Sequence, residues 1–107
     1  MIPLTPMLLG YIRVSEGISP IDVVRLENQL ADFAKREGYL LGVIYRDRLD
    51  GTGAFNTMLE AAVRNDAGVV VPTLEHLSVP PEVRIRDLSA AGIHLYAADA
   101  SPARHGT

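Results

Sequence analysis

The 107-residue chain has no cysteine, which excludes disulfides, thiolate zinc sites and a cysteine nucleophile together and suits a reducing cytosol. It is also short of positive charge. Ten Lys+Arg stand against thirteen Asp+Glu, a formal net charge of −3 at pH 7, so the counterion-release force that drives non-specific nucleic-acid binding is missing. Direct DNA binding is therefore expected to be weak or absent without a partner. Lysine is reduced to Lys35 beside nine arginines, a bias that fits GC-rich coding better than a function. No apolar run has the length of a membrane span, and the opening from Met1 to Ile12 lacks the basic start and small-residue cleavage pattern of a signal peptide. A cytoplasmic location is expected. His76, His94 and His105 are too scattered for metal spacing, so neither metal nor cofactor is expected.

What is present suffices for one packed domain. Hydrophobic residues make up 48% and charged residues 21%, and the length fits a single core. Met7 to Val14 is a short apolar run bounded by Pro6 and by Glu16-Gly17, which reads as a buried strand ending at Ser15. Ser19-Pro20 supplies an N-cap and an N1 proline, and Val23, Leu26, Leu30, Phe33 and Ala34 recur at helical spacing up to Gly38. Leu40 to Tyr45 reads as a second strand, Asp47 to Gly53 as a loop, Phe55 to Asn65 as a second helix and Val69 to Val71 as a third strand. Pro80-Pro81 opens a third helix that stops before Gly92, and Ile93 to Ala97 makes a fourth strand. Residues 1–97 thus form the expected domain and 98–107 a frayed tail.

This alternation predicts an α/β fold: a three-layer open sandwich with a mainly parallel four-stranded sheet and helices on both faces. Ligands in such sheets sit beyond the carboxyl ends of the strands, which directs attention to Arg13 to Gly17, Asp47 to Asn56 and Thr73 to Val79. Gly51-Thr52-Gly53 begins like a dinucleotide fingerprint, but it follows the wrong strand and lacks the third glycine, so a turn is the simpler reading. Ser15 is the best-placed nucleophile. Arg13 shares its facing through strand alternation, and a guanidinium suits the non-bridging oxygens of a phosphodiester under attack. Ser15, His76 and Asp47 could also form a hydrolytic triad, although no strained elbow surrounds the serine.

Tyr11-Ile12-Arg13-Val14-Ser15 resembles the Y-x-R-V-S opening of the serine recombinase (resolvase/invertase) N-terminal catalytic domain, whose serine becomes joined to DNA phosphate. Gln29 to Gly38 resembles the family's glutamine-bearing first helix, and Val43 to Asp47 its second strand ending in aspartate. Val69 to Leu77 resembles strand three running into the L-D-R-L segment, and Ala91 to Leu95 the later strand entry. The resemblance implies Ser15, Arg13, Glu75 and His76 at the catalytic positions and Asp47, Asp50, Gly51, Asn56 and Gln29 around them.

The departures from the family fall on arginines. Where it has L-D-R-L-x-R, this sequence has Leu74-Glu75-His76-Leu77-Ser78-Val79, keeping an acid but losing both arginines. Asn56 stands at a third arginine position, and Asp50 where a serine usually precedes the glycine. Each lost donor to a developing oxyanion costs about 3–4 kcal/mol, and a neutral His76 does not replace the charge. Active members continue into a dimerisation helix and a DNA-binding domain, whereas this sequence ends shortly after its fourth strand. The expectation is a catalytically degenerate, resolvase-like domain acting as a binding, regulatory or assembly module, as a homo-oligomer or with another protein. The alternative is an active recombinase that forms a phosphoserine link through Ser15.

Overall fold

The structure, a computed structural model, describes residues 6–48, 51–77 and 81–99. Its strands are β1 (Met7–Val14), β2 (Leu40–Arg48), β3 (Gly68–Val71) and β4 (Leu95–Ala97), and its helices are α1 (Pro20–Glu37), α2 (Gly53–Asn65) and α3 (Glu82–Ala90). All strand pairs are parallel, in the order β2-β1-β3-β4. The fold is the α/β sandwich that the alternation predicts.

Right-handed crossovers decide which face each helix covers. The step from β1 to β2 runs toward one edge, and the steps from β2 to β3 and from β3 to β4 run toward the other, so α1 must lie opposite α2 and α3. The core divides accordingly. Leu8, Ile12 and Val70 pack against Leu30, Phe33 and Ala34 of α1, while Leu9, Tyr11, Val69 and Val71 pack against Phe55, Met58, Ala61, Ala62 and Leu88. Because connections leave β1 and β3 on opposite faces, the crevice of this sheet lies at the carboxyl ends of these two neighbours.

Local signals explain the element ends. The Ser19 side chain accepts from the Asp22 N–H at 3.1 Å, with Pro20 at the helix start, and Gly38 closes α1 at φ +82°. Such a cap contributes about 1 kcal/mol. Several expected boundaries move. Strand β2 runs on through Arg48 rather than giving way to a loop at Asp47, α2 begins at Gly53 instead of Phe55, and β4 begins at Leu95 instead of Ile93. Between β3 and α3, within the Thr73 to Val79 segment expected at the carboxyl ends of the strands, lies a 3₁₀ turn, Leu74–His76. Ala98 and Asp99, within the segment expected to fray, donate to the carbonyls of Val71 (2.8 Å) and Pro72 (3.1 Å). Among the described residues no helix is long and apolar enough to cross a membrane.

Gly10 of β1 lies tightly between Leu30 of α1 and Ile44 of β2. A Cβ there would lie 2.9 Å from both Ile44 Cγ1 and Leu30 Cδ1, too close for the packed interior to absorb without displacement. Gly10→Ala is therefore expected to destabilise the fold by about 1–3 kcal/mol, read as a lower urea midpoint with an unchanged slope. The opposite sign, the small gain that Gly→Ala gives where space exists, would contradict this account of the α1 contact.

Candidate functional site

Strand β1 has eight residues and β3 only four, and their pairing stops at Gly10 and Val70. Beyond that point the backbone of β1 has no β3 ladder on that side, yet it sits in a partly buried crevice where an unpaired amide is costly. The 3₁₀ turn supplies the partner. The Arg13 backbone N–H donates to His76 Nδ1 at 2.9 Å.

The Arg13 side chain completes the closure. Its Nε–H donates to the His76 carbonyl at 3.3 Å, and Nη1 donates to the carbonyls of Arg48 at 3.0 Å and Gly51 at 3.1 Å. Nη2 donates to the Tyr11 hydroxyl at 3.2 Å and the Leu77 carbonyl at 3.3 Å. A guanidinium has five N–H donors and no acceptor, and all three of its nitrogens donate to described residues of the protein. Arg13 thereby ties β1 to the end of β2, to the loop entering α2 and to the 3₁₀ turn.

Behind it the chain of bonds continues inward. The fully buried Tyr11 hydroxyl donates to Asp47 Oδ2 at 2.8 Å. Asp47, only 8% exposed, also accepts from the N–H groups of Ala54 (2.9 Å, Oδ1) and Phe55 (2.8 Å, Oδ2). Thr52, at the formal N-cap of α2, makes no side-chain cap bond, so Asp47 caps that helix from a neighbouring strand. Its carboxylate answers both the orphan amides and the positive end of the helix dipole. Burial opposes its ionisation, but the bonds from Ala54, Tyr11 and Phe55, with Arg13 nearby, outweigh burial and hold its pKa below the ordinary value. Burial first, and then the bond to Asp47, raises the Tyr11 phenol far above its usual value. The α2 N-terminus thus has an anion of the protein's own in place.

His76 is a neutral imidazole in this arrangement. An amide N–H can only donate, so Nδ1 must present its lone pair and the ring proton must reside on Nε2. Burial chiefly, helped by Arg13 and opposed by Glu75, holds its pKa below the ordinary value of 6.5. A hydrolytic triad is not assembled, because Nδ1 would have to donate to the aspartate, and here Nδ1 accepts from Arg13 while Asp47 is engaged with Tyr11 and α2. Glu75 is exposed, its carboxyl held below the usual range by a hydrogen bond from the Thr73 side chain.

The remaining expected site residues are placed less centrally. Ser15 lies exposed just past β1, in a turn where its carbonyl accepts from the Ile18 N–H at 3.2 Å and Gly17 takes φ +85°. Its hydroxyl makes no side-chain bond to another described residue. Asn56 is exposed on the first turn of α2. Gln29 lines a groove along α1 with Ile21, Val24, Arg25, Asn28 and Asp32. Asp50 and Val79 lie outside the described residues.

Two participants escaped the sequence reading. Tyr11 entered only as a motif residue, although a phenol inside an apolar strand needs a buried partner. Arg84 of α3 places its guanidinium carbon 4.7 Å over the Phe55 ring and donates to Asp87 at 3.3 Å. Its signal was a charge between the apolar Val83 and Ile85 with an acid three residues on.

No protein-family model and no curated protein sequence matches the chain. Among solved structures it is similar to the C-terminal catalytic domain of ISC1926 TnpA, an IS607-like serine recombinase, with a TM-score of 0.74 at 19% identity, covering 89% of this chain and 71% of that one. The fold is serine recombinase-like. In that protein the catalytic domain is the C-terminal one, so this fold is not tied to the N-terminal position expected from the motif resemblance.

The carboxylate at the centre of this network makes a direct prediction. Asp47→Asn weakens the bonds to two amides and the Tyr11 hydroxyl and should cost about 1–3 kcal/mol at neutral pH. Because the folded pKa of Asp47 lies below its unfolded value of 3.8, its contribution is complete above that value and is lost as pH falls through the folded pKa. The substitution should therefore flatten the acid limb of the stability curve below about pH 4, measured by urea unfolding across pH. An unaltered acid limb would show that Asp47 does not hold α2.

Proposed function

We propose that this chain is a serine recombinase-like domain that does not carry out strand exchange and instead works as a binding or assembly module, with a second copy of itself or another protein as its partner. The observation that supports this reading is the disposition of Arg13. A phosphate clamp needs guanidinium donors facing the phosphate, and here Nε, Nη1 and Nη2 all donate to carbonyls or a phenol of the protein among the described residues.

The surrounding residues add to it. Asp47 places a carboxylate against the nearby helix N-terminus, and His76 contributes no cation at neutral pH. Asn56, His76 and Val79 stand where the family resemblance expects arginine. The loss of several preorganised donors, each contributing about 3–4 kcal/mol to an oxyanion transition state, leaves a barrier that the exposed Ser15 hydroxyl alone does not overcome.

A second reading is favoured by one observation, the exposed Ser15 directly beyond β1, two residues after Arg13, in a fold like a recombinase catalytic domain. In it Ser15 attacks DNA phosphate, Arg13 turns to clamp it, and Glu75 and His76 assist proton transfer.

One experiment separates the two. The purified chain is incubated with mixed-sequence and supercoiled DNA at low salt, where electrostatic attraction is strongest, and detergent-resistant protein–DNA adducts are sought beside a Ser15→Ala control. We expect no serine-dependent adduct or nick and only weak retardation of the DNA. An adduct abolished by Ser15→Ala would replace the first reading with the second.

A further inference from the structure

The 3₁₀ turn holds Arg13 through three bonds, and one of them depends on a proton being absent. The Arg13 amide reaches His76 Nδ1 at 2.9 Å, while the carbonyls of His76 and Leu77 take the guanidinium at 3.3 Å each. Among the guanidinium bonds to described residues these last two are the longest, against 3.0–3.2 Å to Arg48, Gly51 and Tyr11. Protonated imidazole carries N–H on both nitrogens. In that state Nδ1–H would face the Arg13 N–H, donor against donor, with the guanidinium positive beside it.

We propose that the 3₁₀ turn is a proton-released latch: protonation of His76 at Nδ1 detaches the turn from β1 and releases the Nε–H and Nη2–H donors of Arg13 that face the turn, while Nη1 stays held, so that this donor pair can bind a tetrahedral oxyanion at the carboxyl end of the strand. The proton comes from solvent, and the only bonds that break are the hydrogen bonds of the turn to Arg13. Leu77, fully buried, anchors the far end of the turn, while Leu74 and Glu75 are exposed, so the movement is a local peeling rather than unfolding.

The charged and titratable groups around His76 make the two states unequal. Glu75 on the turn favours the proton, and Arg13 on β1 opposes it. Behind Arg13 stand Tyr11 and, bonded to it, Asp47 of β2, with Arg84 of α3 acting on Tyr11. A folded pKa below 6.5 means that the unfolded chain binds the proton more readily. The latch is thus fully closed above that value and weakens as pH falls from it through the folded pKa.

This inference rests on the reading that Arg13 is closed to phosphate at neutral pH, and the test distinguishes the two. The probe is sulfate, whose charge is constant over the range used. Binding is followed through the Arg13 Nε and backbone amide signals of the nitrogen-15-labelled chain, at about pH 5 and about pH 8. We expect sulfate to bind at Arg13 at least about tenfold more tightly at the lower pH, as freeing a charge-assisted donor pair should allow. His76→Gln keeps a neutral acceptor and removes the titration, so it should bind weakly at both. Equally weak binding at both pH values in the natural chain overturns the latch alone, and equally tight binding overturns both the latch and the closed-site reading. An acid-dependent gain that survives in His76→Gln also overturns the latch. Should that variant fail to fold, exchange protection of the Arg13 amide in the natural chain decides. Protection that falls with the His76 titration supports the latch, and protection that persists through it overturns the proposal.

Discussion

A strand that outruns its neighbour in a parallel sheet carries amides and carbonyls beyond the end of the ladder, and burying them unpaired costs about 1–3 kcal/mol apiece. Strand β1 is in this position on its β3 side, beyond Gly10. The imidazole of His76 takes the Arg13 amide, and the guanidinium of Arg13 gathers carbonyls from Arg48, Gly51, His76 and Leu77. These carbonyls end segments that would otherwise have no common partner. A lysine would not do the same, having three donors on one nitrogen instead of five in a planar fork.

The same arrangement sets the chemistry of the crevice. Donors that face inward to close the sheet are not available to a ligand in that state, and a helix N-terminus capped by Asp47 offers its amides to nothing else. The fold itself does not dictate this, since like scaffolds carry different sites according to a few side chains. Here the difference comes from how a small number of polar groups are paired: Tyr11 with Asp47, Arg13 with carbonyls, and His76 with an amide. Ser15, one step beyond the last strand residue, remains exposed beside a network that makes no use of it.

Much of the scaffold was legible because its signals are local. Ser19-Pro20 and Gly38 mark the ends of α1 by capping chemistry, and the β-branched runs mark β1 and β3. The strand–helix alternation gives a parallel sheet, and handedness then places the helices. The errors arose where a residue's partner is distant in sequence. Asp47 reads as a turn residue because aspartate favours turns, yet it lies on a strand and its carboxylate caps a helix. The turn at Leu74–His76 is too short for any periodicity. Strand alternation places Arg13 on the face of Ser15, but no spacing rule announces that backbone oxygens from the β2–α2 loop and from the 3₁₀ turn converge on its guanidinium. Gln29 was carried by motif resemblance alone, and it lies on a groove of α1 instead.

The closed crevice requires the guanidinium of Arg13 to be immobilised by the protein at neutral pH, and its side-chain protons report this directly. In a nitrogen-15 spectrum of the natural chain without added anion, a guanidinium held at all three nitrogens should show a slowly exchanging Nε–H and four separate Nη protons, because rotation about the Cζ–N bonds is blocked. A single averaged Nη signal that exchanges rapidly with water, as for an exposed arginine, would contradict the account.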